Sequence, residues 1–180
     1  GTGTGAFLPA VQQPLADAPQ ALDVADLDGD GLPDVVVALG DPMAPVMQAL
    51  APFHGAGDGT LAPWPLLPSP TPIQRLALAD TSGAGLPDVI FARWPGPLAE
   101  GDSLLVVLRN LGGGAFEELP ASPLQKLHAL RAADLDGDGR ADLLTTHGPF
   151  PDITTDPFIG LLSVRRALPD GQLEAHAPLV

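Results

Sequence analysis

Two nine-residue stretches concentrate the carboxylates of this chain: Asp26-Leu27-Asp28-Gly29-Asp30-Gly31-Leu32-Pro33-Asp34 and Asp134-Leu135-Asp136-Gly137-Asp138-Gly139-Arg140-Ala141-Asp142. Four acids within nine residues repel one another unless a cation lies among them, and oxygen-only ligands suit a hard ion such as Ca²⁺. Side chains at positions 1, 3, 5 and 9, with the carbonyl at position 7, make the candidate ligand set. In the first copy these are Asp26, Asp28, Asp30, Leu32 and Asp34; in the other they are Asp134, Asp136, Asp138, Arg140 and Asp142. An EF-hand opens in the same way but needs a bidentate Glu at position twelve and helices on both flanks. Position twelve is Val37 or Thr145, and Val35-Val36-Val37 is a β-branched run behind Pro33. Both stretches are therefore predicted as calcium loops joining the strands of β-hairpins. The competing reading, an acidic turn that binds nothing, requires the same accident twice.

A third copy stands midway, since 80 − 26 = 54 and 134 − 80 = 54. It reads Asp80-Thr81-Ser82-Gly83-Ala84-Gly85-Leu86-Pro87-Asp88, keeping acids at positions 1 and 9 but losing them at Ser82 and Ala84. Two missing charges weaken calcium binding strongly. Asp80, Ser82, Leu86 and Asp88 thus form a weak or vacant third site by sequence, with the turn held by Gly83 and Gly85.

The repeat reaches well beyond the loops. Leu22, Leu76 and Leu130 precede them at matching places, in segments that read as inner strands with small alanines where strands crowd an axis. After the loops, Val35-Val36-Val37-Ala38, Val89-Ile90-Phe91-Ala92 and Leu143-Leu144-Thr145-Thr146 read as second strands. Third strands are expected near residues 46–53, 104–111 and 159–168, then Gly-rich turns at 57–61, 112–116 and 169–173. A fourth, Pro-interrupted strand such as 61–67 follows, and proline confines it to a sheet edge. Four short antiparallel strands per 54 residues predict an all-β fold of β-propeller blades. The blade units are about 7–61, 62–115 and 116–173, with 174–180 beginning another, so that 1–180 forms one propeller segment.

Composition agrees and excludes. With 45% hydrophobic residues the chain can bury a core. The formal charge is −14, and eight of its 22 acids lie in the two full loops, so two Ca²⁺ would bring it to −14 + 4 = −10. Lys126 is the sole lysine among eight Lys and Arg, which argues against nucleic acid. The absence of cysteine excludes disulfides and thiol nucleophiles. No apolar run reaches the roughly 18 residues of a membrane span. Calcium loops of modest affinity fill outside the cytosol, which places the expected location at a bacterial envelope: extracellular, cell surface or periplasm.

Phe7, Leu61 and Phe116 follow Gly-rich turns, and the D-x-D-G-D-G-x-x-D loop comes about nineteen residues later; this combination resembles FG-GAP/VCBS repeats, the blades of integrin α-subunit propellers and many bacterial surface proteins. The resemblance covers nearly the whole chain, and the middle loop departs from it. It implies a calcium-stabilised propeller of a kind that usually binds protein or glycan partners. Three blades fall short of the four to eight of a closed ring. The expectation is therefore a segment of a longer chain, a homo-oligomer of two chains giving six blades, or docking of the open faces on neighbouring subunits. That the sequence starts at a turn and stops in a strand favours the segment.

Loops opposite the calcium loops are the expected partner face. Trp94 lies in the loop at 93–102, while Phe150, Asp152 and Asp156 lie in the longest, at 147–157. An aromatic beside acids suits sugar or peptide contacts, and the plainer reading is that Trp94 and Phe150 pack blade on blade. Catalysis has little support: five serines include no G-x-S-x-G, and His54, His128, His147 and His176 lack zinc spacing. The alternatives to a binding module are a structural subunit of a larger assembly, and a segment of a polysaccharide hydrolase or lyase using Asp102, Asp152 or Asp156.

Overall fold

β-Branched and apolar runs broken every few residues by glycine, proline and aspartate leave the backbone only strands and tight turns. The computed structural model describes residue 5 and residues 9–41, 48–94, 103–124, 127–147 and 161–174. These form three antiparallel sheets in chain order. The first holds β1 (Pro19–Ala25), β2 (Asp34–Leu39) and β3 (Ala49–Gly55), with β4 (Leu61–Pro63) and β5 (Leu67–Pro68) both paired to β3. In the second, β6 (Ile73–Ala79), β7 (Asp88–Arg93) and β8 (Ser103–Gly112) are edged by β9 (Ala115–Glu118) and β10 (Ser122–Leu124). The third is β11 (Leu127–Ala133), β12 (Asp142–His147) and β13 (Leu161–Arg165).

The 54-residue period governs the register as well as the composition. β1, β6 and β11 start at 19, 73 and 127, and each carries a register shift at its own second residue pair, Pro19/Ala21, Ile73/Arg75 and Leu127/Ala129. The fourth strand of the first sheet is interrupted around Pro65 into β4 and β5, both on the edge of β3. Among the described residues of the third sheet, a bridge from Ala167 to Leu173 marks the corresponding edge.

The sheets stack face to face, and their inner strands run beside one another, β6 lying against both β1 and β11. Val36, Ala38 and Leu50 of the first sheet meet Leu76, Val89, Phe91 and Val106 of the second. Ile90, Ala92, Leu105 and Val107 on the other face of the second meet Leu130 and Leu143 of the third. Polar groups stitch the same junctions: Leu78 N donates to Asp23 Oδ2 at 2.8 Å, Asn110 Nδ2 to the Leu27 carbonyl at 2.7 Å, and Arg75 Nε to the His128 carbonyl at 2.8 Å. This is propeller-blade packing, and no hydrogen-bonded closure joins the first sheet to the third among the described residues.

The two outward faces differ from the expectation of a uniformly buried inner strand. Leu76 and Leu130 are buried at 5% and 0% exposure, whereas Leu22, their repeat mate, is 64% exposed. On that face, among the described residues, Leu15, Val35 and Leu61 pack against Val37, Leu39, Ala51 and Phe53 of β2 and β3. The far face of the third sheet shows the same pattern. Position 2 of the loop is buried as Leu27 and Thr81 but exposed as Leu135, and Leu162 and Val164 stand out where Leu105 and Val107 are covered.

Close approach fixes one glycine. A Cβ on Gly55 would sit 2.1 Å from the Pro33 carbonyl oxygen, and Gly55 N donates to Asp34 Oδ1 at 2.9 Å. Gly55→Ala is expected to lower stability by about 2–3 kcal/mol through this backbone collision. A urea midpoint equal to wild type would show that β3 and the loop are not held this tightly.

Candidate metal centres

Each loop is first an Asx-type turn folded around its own leading aspartate. Asp26 accepts from Gly29 N on one oxygen and Gly31 N on the other, both at 2.8 Å, and Asp134 does the same with Gly137 N and Gly139 N. These backbone donors, Gly139 foremost, hold the Asp134 carboxyl below the usual carboxylate range. Asp80 keeps the pattern with N–H groups of Ser82, Gly83, Ala84 and Gly85, the last at 2.6 Å. Positive φ at Gly29 and Gly31, 79° and 86°, lets the chain coil round that side chain. The turn therefore survives in the middle copy without acids at positions 3 and 5.

The ninth-position acids do a second job. Asp34 is fully buried and accepts Leu27 N at 2.8 Å and Gly55 N at 2.9 Å, tying the start of the loop to β3. Asp88 ties Thr81 N and Asn110 N, and Asp142 ties Leu135 N and Ala167 N, in the same way. The oxygens of Asp34 and Asp142 each retain a second lone pair for a cation, whereas Asp88 Oδ2 accepts from both Thr81 N and Thr81 Oγ1.

In each full loop three of the four acids converge, and not the same three. One oxygen from each of Asp26, Asp28 and Asp30 falls in a single group no wider than 4.8 Å, and so does one from each of Asp134, Asp136 and Asp142. Asp138 is drawn aside, because the Arg140 guanidinium lies on its Oδ2. The middle loop has only two acids, Asp80 and Asp88, with Ser82 between them. Leu32 and Arg140 donate their own N–H to Asp30 and Asp138, which curls the chain at position 7. Position 7 side chains also align the loops on one end of the stack: Leu86 approaches Gly29, and Arg140 approaches Gly83. A hard-oxygen donor set around a tight turn suits a cation such as Ca²⁺, which Asp26, Asp28 and Asp30 would hold in the first loop and Asp134, Asp136 and Asp142 in the third.

One residue escaped the sequence reading. His54 of β3 sits over the first loop, its Nδ1 3.3 Å from both Asp28 Oδ2 and Asp34 Oδ1. The signal was present: β-pairing places His54, Arg109 and Arg166 at one repeat position, because their predecessors Phe53, Leu108 and Arg165 pair with Val35, Val89 and Leu143. His54 and Arg166 thus reach acids of their own loops, whereas Arg109 turns to Glu117 and the Asp170 carbonyl. His147, by contrast, is a buried strand residue bonded to Thr145 Oγ1 at 2.7 Å.

Of the predicted partner residues, Trp94 is described and Phe150, Asp152 and Asp156 lie outside the described residues, as do Asp102 and His176. Trp94 follows β7 at the end of the stack away from the loops, where it lines a cleft of about 260 Å³ with Gln20, Gln74 and Arg75. Among the described residues no helix is long and apolar enough to cross a membrane. Against known proteins, residues 80–145 match the FG-GAP-like repeat, a stretch running from the middle loop through the third. No curated protein matches the chain.

Proposed function

We propose, from the FG-GAP-like repeat at residues 80–145 and the repetition of its loop at residue 26, that the chain is a calcium-stiffened propeller-type binding module of an exported or surface protein. The observation that carries this reading is the convergence of three carboxylates in each full loop. Calcium's part is to neutralise the loops and lock the hairpin ends, so that the opposite ends are presented as a rigid surface. The cleft beside Trp94 combines an indole with amide and guanidinium donors, a set that suits a glycan hydroxyl face or an extended peptide. Turnover needs no place in this reading, since the clustered acids are engaged in the turns.

The test is a screen of polysaccharides and peptides with Ca²⁺ or chelator present. A saturable partner is expected in calcium, with Trp94→Ala weakening it at least about tenfold as an aromatic anchor. Undiminished binding by Trp94→Ala would move the partner surface elsewhere, and hydrolysis of a polysaccharide would replace the binding module by an enzyme.

A further inference from the structure

We propose that the first loop, completed by His54 of β3, is a mixed oxygen–nitrogen site for a d-block divalent cation of the Zn²⁺ or Co²⁺ kind, a site the other two loops cannot form. The inference goes beyond the calcium reading and does not depend on it, since it concerns a nitrogen ligand that Ca²⁺ does not favour.

Three observations converge on it. Asp28, Asp34 and His54 each bring one ligand atom into a common group within 4.8 Å. His54 Nδ1 is 3.3 Å from both carboxylate oxygens, and tetrahedral ligands bound at about 2.0–2.1 Å stand roughly 3.3–3.4 Å apart. That Nδ1 is also shielded from solvent and makes no hydrogen bond, although the His54 side chain is 30% exposed, so its lone pair or N–H is aimed only at the two acids. The surroundings resemble the outer support of metal-bound imidazoles. Asp34 is oriented by Gly55 N and Leu27 N, Nε2 faces Asp30 Oδ2 at 3.7 Å, and the ring is stacked on Trp64 with centroids 5.9 Å apart.

The repeat supplies the contrast. Arg109 and Arg166 occupy the place of His54 in the second and third sheets, and a guanidinium offers no lone pair to a metal. Arg166 instead stands 3.7 Å from Asp136 Oδ2 as a counter-charge. If His54 served only as a counter-charge too, arginine would replace it without loss; if it is a ligand, arginine abolishes the site.

The experiment uses the whole chain carrying Trp94→Phe, which leaves Trp64 as the remaining indole, and follows its emission while Co²⁺ is added to calcium-free protein. Saturable quenching reversed by Zn²⁺ is expected, with His54→Gln and His54→Arg each weakening Co²⁺ at least about tenfold. Calorimetric Ca²⁺ binding by the same variants is expected to change by less than about threefold, because oxygen ligands carry it. Equal Co²⁺ affinity in parent and variants, or tight binding kept by His54→Arg, overturns the proposal, and so does a parent that leaves Trp64 unquenched. Loss of Ca²⁺ binding from the parent with His54-dependent Co²⁺ quenching intact refutes the calcium reading and supports this one.

Discussion

Calcium added to chelator-treated protein is expected to raise the melting temperature by roughly 10–20 °C. A cation that binds only the folded state stabilises by RT ln(1 + [L]/Kd), about 2.7 kcal/mol per site at 100 Kd, hence about 5.4 kcal/mol for two. For a chain of this size each kcal/mol moves the midpoint by roughly 2–4 °C. Asp28→Ala and Asp136→Ala are the discriminating variants. Their backbone bonds inside the turn are long and exposed, to Asp30 N at 3.2 Å and Asp138 N at 3.3 Å. Little is lost in chelator when they are removed, whereas each should abolish about half of the calcium-induced rise. Asp26 and Asp134 would confuse the comparison, because each also holds two glycine N–H groups. Ser82→Ala, in the loop without converging acids, should leave the rise intact. Equal losses for Asp28→Ala in calcium and in chelator would mean that the acids serve the turn alone.

The residues that could be read from sequence were those whose role depends on nearest neighbours. Alternating Asp and Gly dictates the coil of Asp26 through Gly31 whether or not a strand lies nearby, and the altered middle loop adopts the same coil through Asp80. Val35–Val37 could hardly be other than a strand. What escaped depends on separations the local pattern does not carry. His54 lies twenty residues beyond Asp34 and reaches it only because β3 pairs with β2 through Phe53 and Val35. Leu22 and Leu135 have the composition of buried positions and are exposed, since burial there is set by whether another sheet lies alongside. The ninth aspartate was legible as a candidate ligand, but its bonds to Gly55, Asn110 and Ala167 backbone atoms emerge only once the third strand is in place.

That last role yields an effect calcium cannot rescue. Asp88 is 1% exposed and accepts Asn110 N at 2.8 Å, Thr81 N at 3.0 Å and Thr81 Oγ1 at 2.5 Å. Its loop lacks acids at positions 3 and 5, so the structural contribution is separated from any metal contribution. Hydrogen bonds to a buried carboxylate contribute about 1.5–3 kcal/mol each, and deletion strands the donors without water. Because the three bonds share one acceptor group they do not add fully, and Asp88→Ala is expected to cost about 3–5 kcal/mol, read as a lower urea midpoint at unchanged slope. Asp88→Asn keeps one carbonyl oxygen but turns an amide N–H toward another donor, so about half that loss is expected. The decisive feature is indifference to the ion: the penalty for Asp88→Ala should be the same in calcium and in chelator, while Asp28→Ala is penalised in calcium alone. A cost below about 1 kcal/mol would mean that the loop and β8 are joined by packing rather than by this carboxylate. A cost that grows with calcium would place a cation in the middle loop after all, with Asp80 and Asp88 as its ligands.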